Sequence, residues 1–211
     1  MYLLPKPKTI KEQEGQMLLC HSTQIVMSKE VAETEMHAAK RLQEAIRQET
    51  GLILLISVGE AREGDLSLGI VKTLSEQTYE ITIDEKGGQI SGGDGAAVLY
   101  GVETFCQIIQ QCGGILPCVR IQDEPDMLNR GYYFDQTRGR VLKLEELKKI
   151  ADRMSRYKLN QLQLYVEHTY LFRDFSEMWR DQTPLTAEEI RELDAYCAKL
   201  HIDRKSTRLN S

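Results

Sequence analysis

Apolar positions in this chain change their spacing several times, and each change marks an element. Leu18–Met27 is an extended apolar run. From Lys29 to Thr50 the spacing becomes helical, with Val31, Ala38, Leu42 and Ile46 on one face, which predicts an amphipathic helix. Ser28 stands where an N-cap hydroxyl is wanted, and Gly51 where a terminating glycine is common. Leu52–Gly59 is short and apolar, which predicts a buried strand. Tyr79–Ile83 and Gly88–Ser91 flank the turn residues Asp84–Gly88 and predict a hairpin. Gly92-Gly-Asp-Gly95 then opens onto a helix from about Ala96 to Cys112. These elements make an α+β unit of about 120 residues, large enough for a core of its own.

Beyond residue 125 the pattern changes to strand 130–136, helix 143–157, strand 160–167 and helix 186–200. Thr186 followed by Glu189 is a capping-box pattern and places the start of the last helix. Strand–helix–strand units of this kind build parallel sheets and barrels, so this part reads as α/β. The loop Tyr170–Leu185 carries the only tryptophan, Trp179, which could stack on a sugar ring or cover the loop's own small core. The chain therefore divides near residue 121, into an α+β domain over 1–121 and the start of an α/β domain over 122–202.

Composition narrows the function classes. With 41% hydrophobic and 28% charged residues the chain is that of an ordinary globular protein. A net charge of −5 argues against a nucleic-acid partner, which needs a basic face. Lys148-Lys149 reads as a solvated helix face. No apolar run approaches the ~20 residues of a membrane span. The segment from Met1 to Lys8 has too short an apolar core for a secretory signal, so the chain as given reads as cytoplasmic. Cys20, Cys106, Cys112, Cys118 and Cys197 form an odd set without C-x-x-C pairs, which favours reduced thiols over disulfides or a metal site. Gly93-x-Gly95 lacks the third glycine and the Gly-Lys-Ser/Thr ending of phosphate loops, and reads as a turn feeding a helix.

Arg130-Gly131, Asp135 and Arg138 in the first strand region, and Lys158-x-Asn160 leading into the second, resemble the opening of the catalytic barrel in glycoside hydrolase family 20. That family comprises the β-N-acetylhexosaminidases. Gly92–Gln110, with Tyr100-Gly101 and Thr104-Phe105-x-Gln107, looks like the last helix of the small α+β domain that many members carry ahead of the barrel. Leu116-Pro117 and Ile121-x-Asp123-x-Pro125 look like the join to the barrel. The resemblance implies a small N-terminal α+β domain followed by the first two units of a (β/α)8 TIM barrel. It also implies removal of terminal N-acetylglucosamine or N-acetylgalactosamine from glycans, with no cofactor and no metal. In the family an Asp-Glu pair at the end of the fourth strand acts with the substrate's own 2-acetamido group, an exception to the two-carboxylate scheme. That strand lies beyond residue 211, so none of the residues present is expected to be catalytic and this chain is expected to be inactive.

The resemblance also supplies the candidate substrate-binding residues. The family's matching arginine hydrogen-bonds hydroxyls of the terminal sugar, which points to Arg130, and a guanidinium offers five fixed donors for that purpose. A bottom-face ion pair with Asp135 or Glu124 is the alternative for it. Asp135 and Arg138 are expected to tie the end of the first strand to neighbouring loops. The second strand departs from the common His-x-Ser/Thr-Asp-Asp ending and reads Tyr165-Val-Glu-His-Thr169. Glu167 could supply the carboxylate there and His168 the polar rim. After Ile202 the apolar pattern stops. Residues 203–211 match, codon for codon, a translation of the sequencing-adapter DNA GATCGGAAGAGCACACGTCTGAACTCC, and are expected to be an assembly scar outside the fold. Three classes stay open: a family-20 hexosaminidase fragment, another barrel glycosidase with the same first domain, or a non-catalytic carbohydrate-binding protein.

Overall fold

The first element is one that the apolar pattern does not announce: β1 (Thr9–Leu18) is exposed or half-exposed at all but one of its positions. The computed structural model describes residues 1–180 and 183–207. They fall into two units, Met1–Leu128 and Asn129–Ser211.

In the first unit β1 is followed by β2 (Gln24–Met27), α1 (Lys29–Thr34), α2 (Met36–Thr50), β3 (Leu55–Val58) and β4 (Leu66–Ile70). The hairpin β5 (Tyr79–Asp84) and β6 (Gly87–Gly92), the long helix α3 (Gly95–Cys112) and β7 (Ile115–Asp123) complete it. The seven strands form one sheet in the order β1-β7-β5-β6-β4-β2-β3. The β1, β7, β5, β6 side is antiparallel, and the β6, β4, β2, β3 side is parallel. Helix α3 lies over β4 to β7 with α2 beside it, and the buried residues Ile25, Leu68, Ile81, Ile90, Phe105 and Ile108 form the core between sheet and helices. Burying side chains of this kind contributes about 1.5–3 kcal/mol each.

Several local expectations hold in detail. Ser28 accepts from the Val31 amide, Val31, Ala38, Leu42 and Ile46 are fully buried, and Gly51 ends α2 in the left-handed region at φ 76°. Asp94 caps α3 by accepting from the Ala97 amide, so the glycine-rich turn starts a helix. Gly93 is demanded by crowding: a Cβ there would stand 2.0 Å from the Ser75 carbonyl oxygen.

Other expectations are corrected. The predicted helix over 29–50 breaks at Glu35, whose backbone is non-helical at φ −117°, ψ 25°. The break preserves the seven-residue step from Val31 to Ala38, so the periodicity carries no trace of it. The run Leu18–Met27 is split between the end of β1 and β2 by a turn at residues 19–23. The strand predicted as buried over 52–59 is the edge strand β3, and Ile53 and Leu55 are 71% and 62% exposed. An edge has one neighbour only, which the local apolar run cannot reveal. The stretch read as a join begins within β7, which pairs with β1 as far as Gln122 and with β5 as far as Asp123, and the first compact unit runs on to Leu128.

The second unit contains β8 (Gly131–Asp135), α4 (Leu144–Arg156), β9 (Gln161–Tyr165), the short turn α5 (Ser176–Trp179), α6 (Ala187–Lys199) and β10 (Asp203–Thr207). Its sheet is parallel throughout, in the order β10-β9-β8. Leu162 and Leu164 of β9 are fully buried while Gln161 and Gln163 are half-buried, so the leucine face is the one turned into the core. Thr186 and Glu189 form the expected capping box at the start of α6.

The expectation that the fold stops at Ile202 is corrected as well. Ile202 is buried, and Asp203–Thr207 continue as a parallel strand in register with Gln161–Tyr165. Ladder hydrogen bonds use main-chain groups, so a polar stretch can occupy an open strand edge. The rest of the supposed scar, residues 208–211, lies outside the described residues.

Candidate functional site

In a parallel sheet in register, neighbouring partners share a face. Gly131, Tyr133 and Asp135 of β8 therefore share a face with Gln161, Gln163 and Tyr165 of β9, opposite the leucines. This face ends, at the C-terminal edge of the sheet, in the pair Asp135 and Tyr165. The loops that follow β8 and β9 meet there: the Tyr165 carbonyl accepts from the Gln136 amide at 3.0 Å and from the Thr137 hydroxyl at 3.4 Å.

Around that edge the side chains form one connected group. Asp135 accepts from the amides of Thr137 (2.8 Å) and Arg138 (3.1 Å), and its other oxygen receives the Arg138 guanidinium at 2.9 Å. The Thr137 amide, together with Arg138, holds the Asp135 carboxyl below its ordinary range. The Arg138 guanidinium also lies over the Tyr165 ring, 5.1 Å from its centroid, and 4.0 Å from Glu167 Oε1. The Tyr165 hydroxyl donates to Glu167. Tyr133 lies beside it, the two rings 6.3 Å apart. The group offers a held carboxylate, a fixed cation and the exposed ring of Tyr133 on one rim, a set able to take sugar hydroxyls and an apolar sugar face.

The candidate residues do not all come together. Glu167 and His168 stand at this rim, both half-buried. Arg130 precedes β8 and so lies at the opposite end of the strand, where its Nε donates to the Lys158 carbonyl at 2.8 Å and its amide to Asn160 Oδ1. Lys158-x-Asn160 thus serves as the clamp that holds the starts of β8 and β9 together. Asp135 and Arg138 tie the end of β8 to the following loop, as expected. Trp179 spends its indole N–H on the Phe172 carbonyl at 3.0 Å, which favours the reading that it covers its own loop. The grouping of Tyr165 and Arg138 with Glu167 was not read from the sequence. The i, i+2 spacing of Tyr165 and Glu167 at a strand end is the signal that could have shown half of it.

The remaining charged and sulfur-bearing candidates are accounted for. Lys148 pairs with Glu145 and Glu192, and Lys149 with Glu146, as surface ion pairs between and along helices. The five cysteines are thiols rather than disulfides. Among the described residues, no helix is long and apolar enough to cross a membrane.

Comparison with known proteins adds three findings. Residues 1–124 match the family model described as glycosyl hydrolase family 20, domain 2. The chain is 30% identical over 179 residues to a β-hexosaminidase of Akkermansia muciniphila, covering 75% of this chain and 34% of that protein. It is 28% identical over 190 residues to a β-hexosaminidase of Porphyromonas gingivalis, covering 84% of this chain and 23% of that protein. Among solved structures it resembles a family-20 exo-β-N-acetylglucosaminidase from Vibrio harveyi in complex with N-acetylglucosamine. That likeness has a TM-score of 0.81 at 18% identity, over 97% of this chain and 35% of the other. A β-N-acetylhexosaminidase from Bacteroides fragilis gives a TM-score of 0.79 at 19% identity, over 97% and 44%. The sequence thus spans about a quarter to a third of the curated relatives it matches.

Proposed function

The chain belongs to glycoside hydrolase family 20, and on that premise we propose that it is part of a β-N-acetylhexosaminidase that removes terminal N-acetylhexosamine from glycans. The observation that carries this reading is the match of residues 1–124 to the family's second-domain model. The parallel βαβα arrangement of β8, α4, β9 and α6 that follows agrees with the start of its barrel. The reaction would be retaining and substrate-assisted: an acid protonates the leaving oxygen while the 2-acetamido group attacks the anomeric carbon. The Asp-Glu pair that the family uses for this belongs to a fourth strand and is sought outside these residues. Residues 203–211 are proposed to derive from adapter DNA rather than from the native gene. A cytoplasmic setting is proposed for the protein, on the odd set of cysteines without C-x-x-C pairs.

Within this chain Glu167 and His168 are proposed to meet the terminal sugar at the rim. Arg130 is proposed to bind the same sugar through the family pattern, and to do so its long side chain must run inside the barrel from the start of β8 toward the rim. The decisive experiment compares two proteins on a chromogenic N-acetylglucosaminide. This chain should show no turnover, whereas the catalytically complete enzyme carrying these residues should hydrolyse it. Turnover by the purified 211-residue chain would overturn the assignment of the chemistry to a pair outside it. In the complete enzyme Arg130→Ala should lower kcat/KM by roughly 100-fold, as loss of charged donors to buried hydroxyls does. Near-normal kinetics with lowered stability would leave Arg130 only its clamp on the Lys158 carbonyl.

A further inference from the structure

Among the described residues, the Glu167 carboxylate at the rim is engaged through one oxygen only. Tyr165 donates to Oε1 of Glu167, and the Arg138 Nη2 atom lies 4.0 Å from that same oxygen. Oε2 has no hydrogen-bond partner among the described residues, and Glu167 is half-buried rather than withdrawn from solvent. The adjacent His168 imidazole likewise has no hydrogen-bond partner among the described residues.

Tyr165, which bonds Oε1, and Arg138, which stands at ion-pair distance from it, are themselves fixed. Tyr165 is 2% exposed, at the last position of β9, with Tyr133 beside it. Arg138 is anchored at its other amino group by Asp135, at 2.9 Å. The hydrogen bond to Glu167, with burial, pushes the Tyr165 phenol above its ordinary range, so it stays a donor through neutral pH. A glutamate side chain otherwise has much rotamer freedom to lose when it binds a ligand. Holding it beforehand removes that loss, and an ionised oxygen makes a stronger acceptor than a neutral one.

Resting on the reading that Glu167 meets the substrate, we propose that Tyr165 and Arg138 are positioning residues. They grip Glu167 through Oε1 so that Oε2 is the acceptor presented to a hydroxyl of the terminal amino sugar. The consequence is coupling: once Glu167 can no longer serve as an anionic acceptor, removing its holders should cost nothing further.

The test is a double-mutant cycle in the catalytically complete enzyme, read as kcat and KM on a chromogenic N-acetylglucosaminide, with thermal unfolding of each variant alongside. Glu167→Gln should lower kcat/KM by roughly 30-fold, and Tyr165→Phe by roughly 10-fold, the latter mainly through KM. The double variant should fall within about twofold of Glu167→Gln alone, the signature of two groups acting as one unit. Arg138→Gln, on a side chain 67% exposed, provides an arm that does not endanger folding. It should raise KM about threefold in the native background and leave KM unmoved beside Glu167→Gln. Multiplying effects in the cycle, or a silent Tyr165→Phe together with a silent Arg138→Gln, overturn the positioning role while the substrate role of Glu167 stands. A silent Glu167→Gln removes both.

Discussion

Both units are built from strands with helices packed against them, yet the first buries by far the larger apolar core. Its sheet has seven strands, and the exposed edge β1 is polar nearly throughout, which discourages pairing with other chains. Buried polar groups there are satisfied across elements: the Tyr79 hydroxyl meets Thr104 and Asp123 at 2.8 and 2.9 Å, and Arg41 pairs with the buried Glu103. The second unit has three strands, and its edge strand β8 leaves Tyr132 and Tyr133 43% and 53% exposed. The difference shows that caps, crossovers and ladders can form an element without closing a core. Local hydrogen bonds complete a helix or a strand pair, whereas a core needs enough elements to bury a large share of the apolar surface, and that share grows with the size of the unit.

If that contrast is right, limited proteolysis should cut between Asp123 and Gly131 and leave the first unit intact. Hydrogen exchange should be slow in β5, β6 and α3 and fast in Gln161–Tyr165. Equal protection of both regions in a monomer would show that the three-stranded unit is self-sufficient. A core deletion should act strongly on the first unit alone. Phe105→Ala, at a fully buried side chain, should lower the stability of that unit by about 3–5 kcal/mol in denaturant titrations. A loss below about 1 kcal/mol would mean that the sheet and α3 are not packed as described.

Two buried thiols compare the units directly. Cys106 in α3 and Cys197 in α6 are 6% and 0% exposed, so static burial alone does not favour labelling of Cys197. Burial pushes the Cys197 thiol up to about 12, so it reacts with an alkylating reagent at pH 8 only when its unit opens. Cys197 should therefore be modified roughly 10–100 times faster than Cys106, following the lower local stability of its unit. Cys20 supplies the control: hydrogen bonds from Ser22 and Thr23 draw it down to about 7. Its labelling should be fast at pH 8 and slow as pH falls below 7, because the reactive thiolate is then protonated. Reversal of the Cys106 and Cys197 rates would contradict the comparison. The smallest effect is expected at the capping box, where Thr186→Ala should destabilise α6 by about 1 kcal/mol, visible as faster exchange in its first turn only.

What could be read along the chain was whatever depends on neighbours in sequence. The helix face of Val31, Ala38, Leu42 and Ile46, the caps at Ser28, Asp94 and Thr186, and the hairpin at Asp84–Gly88 rest on residues a few positions apart. The family was legible in the same way, through short motifs around Arg130, Arg138 and Lys158. The break at Glu35 escaped notice because it keeps the apolar spacing. The edge position of β3, the polar strands β1 and β10 and the burial of β7 on both sides belong to strand pairing, and backbone pairing carries no side-chain signature. The candidate site divides along the same line. Glu167 and His168 could be named from the strand they follow, but the arginine that reaches Glu167 comes from the loop after another strand. Which oxygen of a carboxylate is held, and which is left for a ligand, follows from the three-dimensional meeting of segments that the order of residues does not contain.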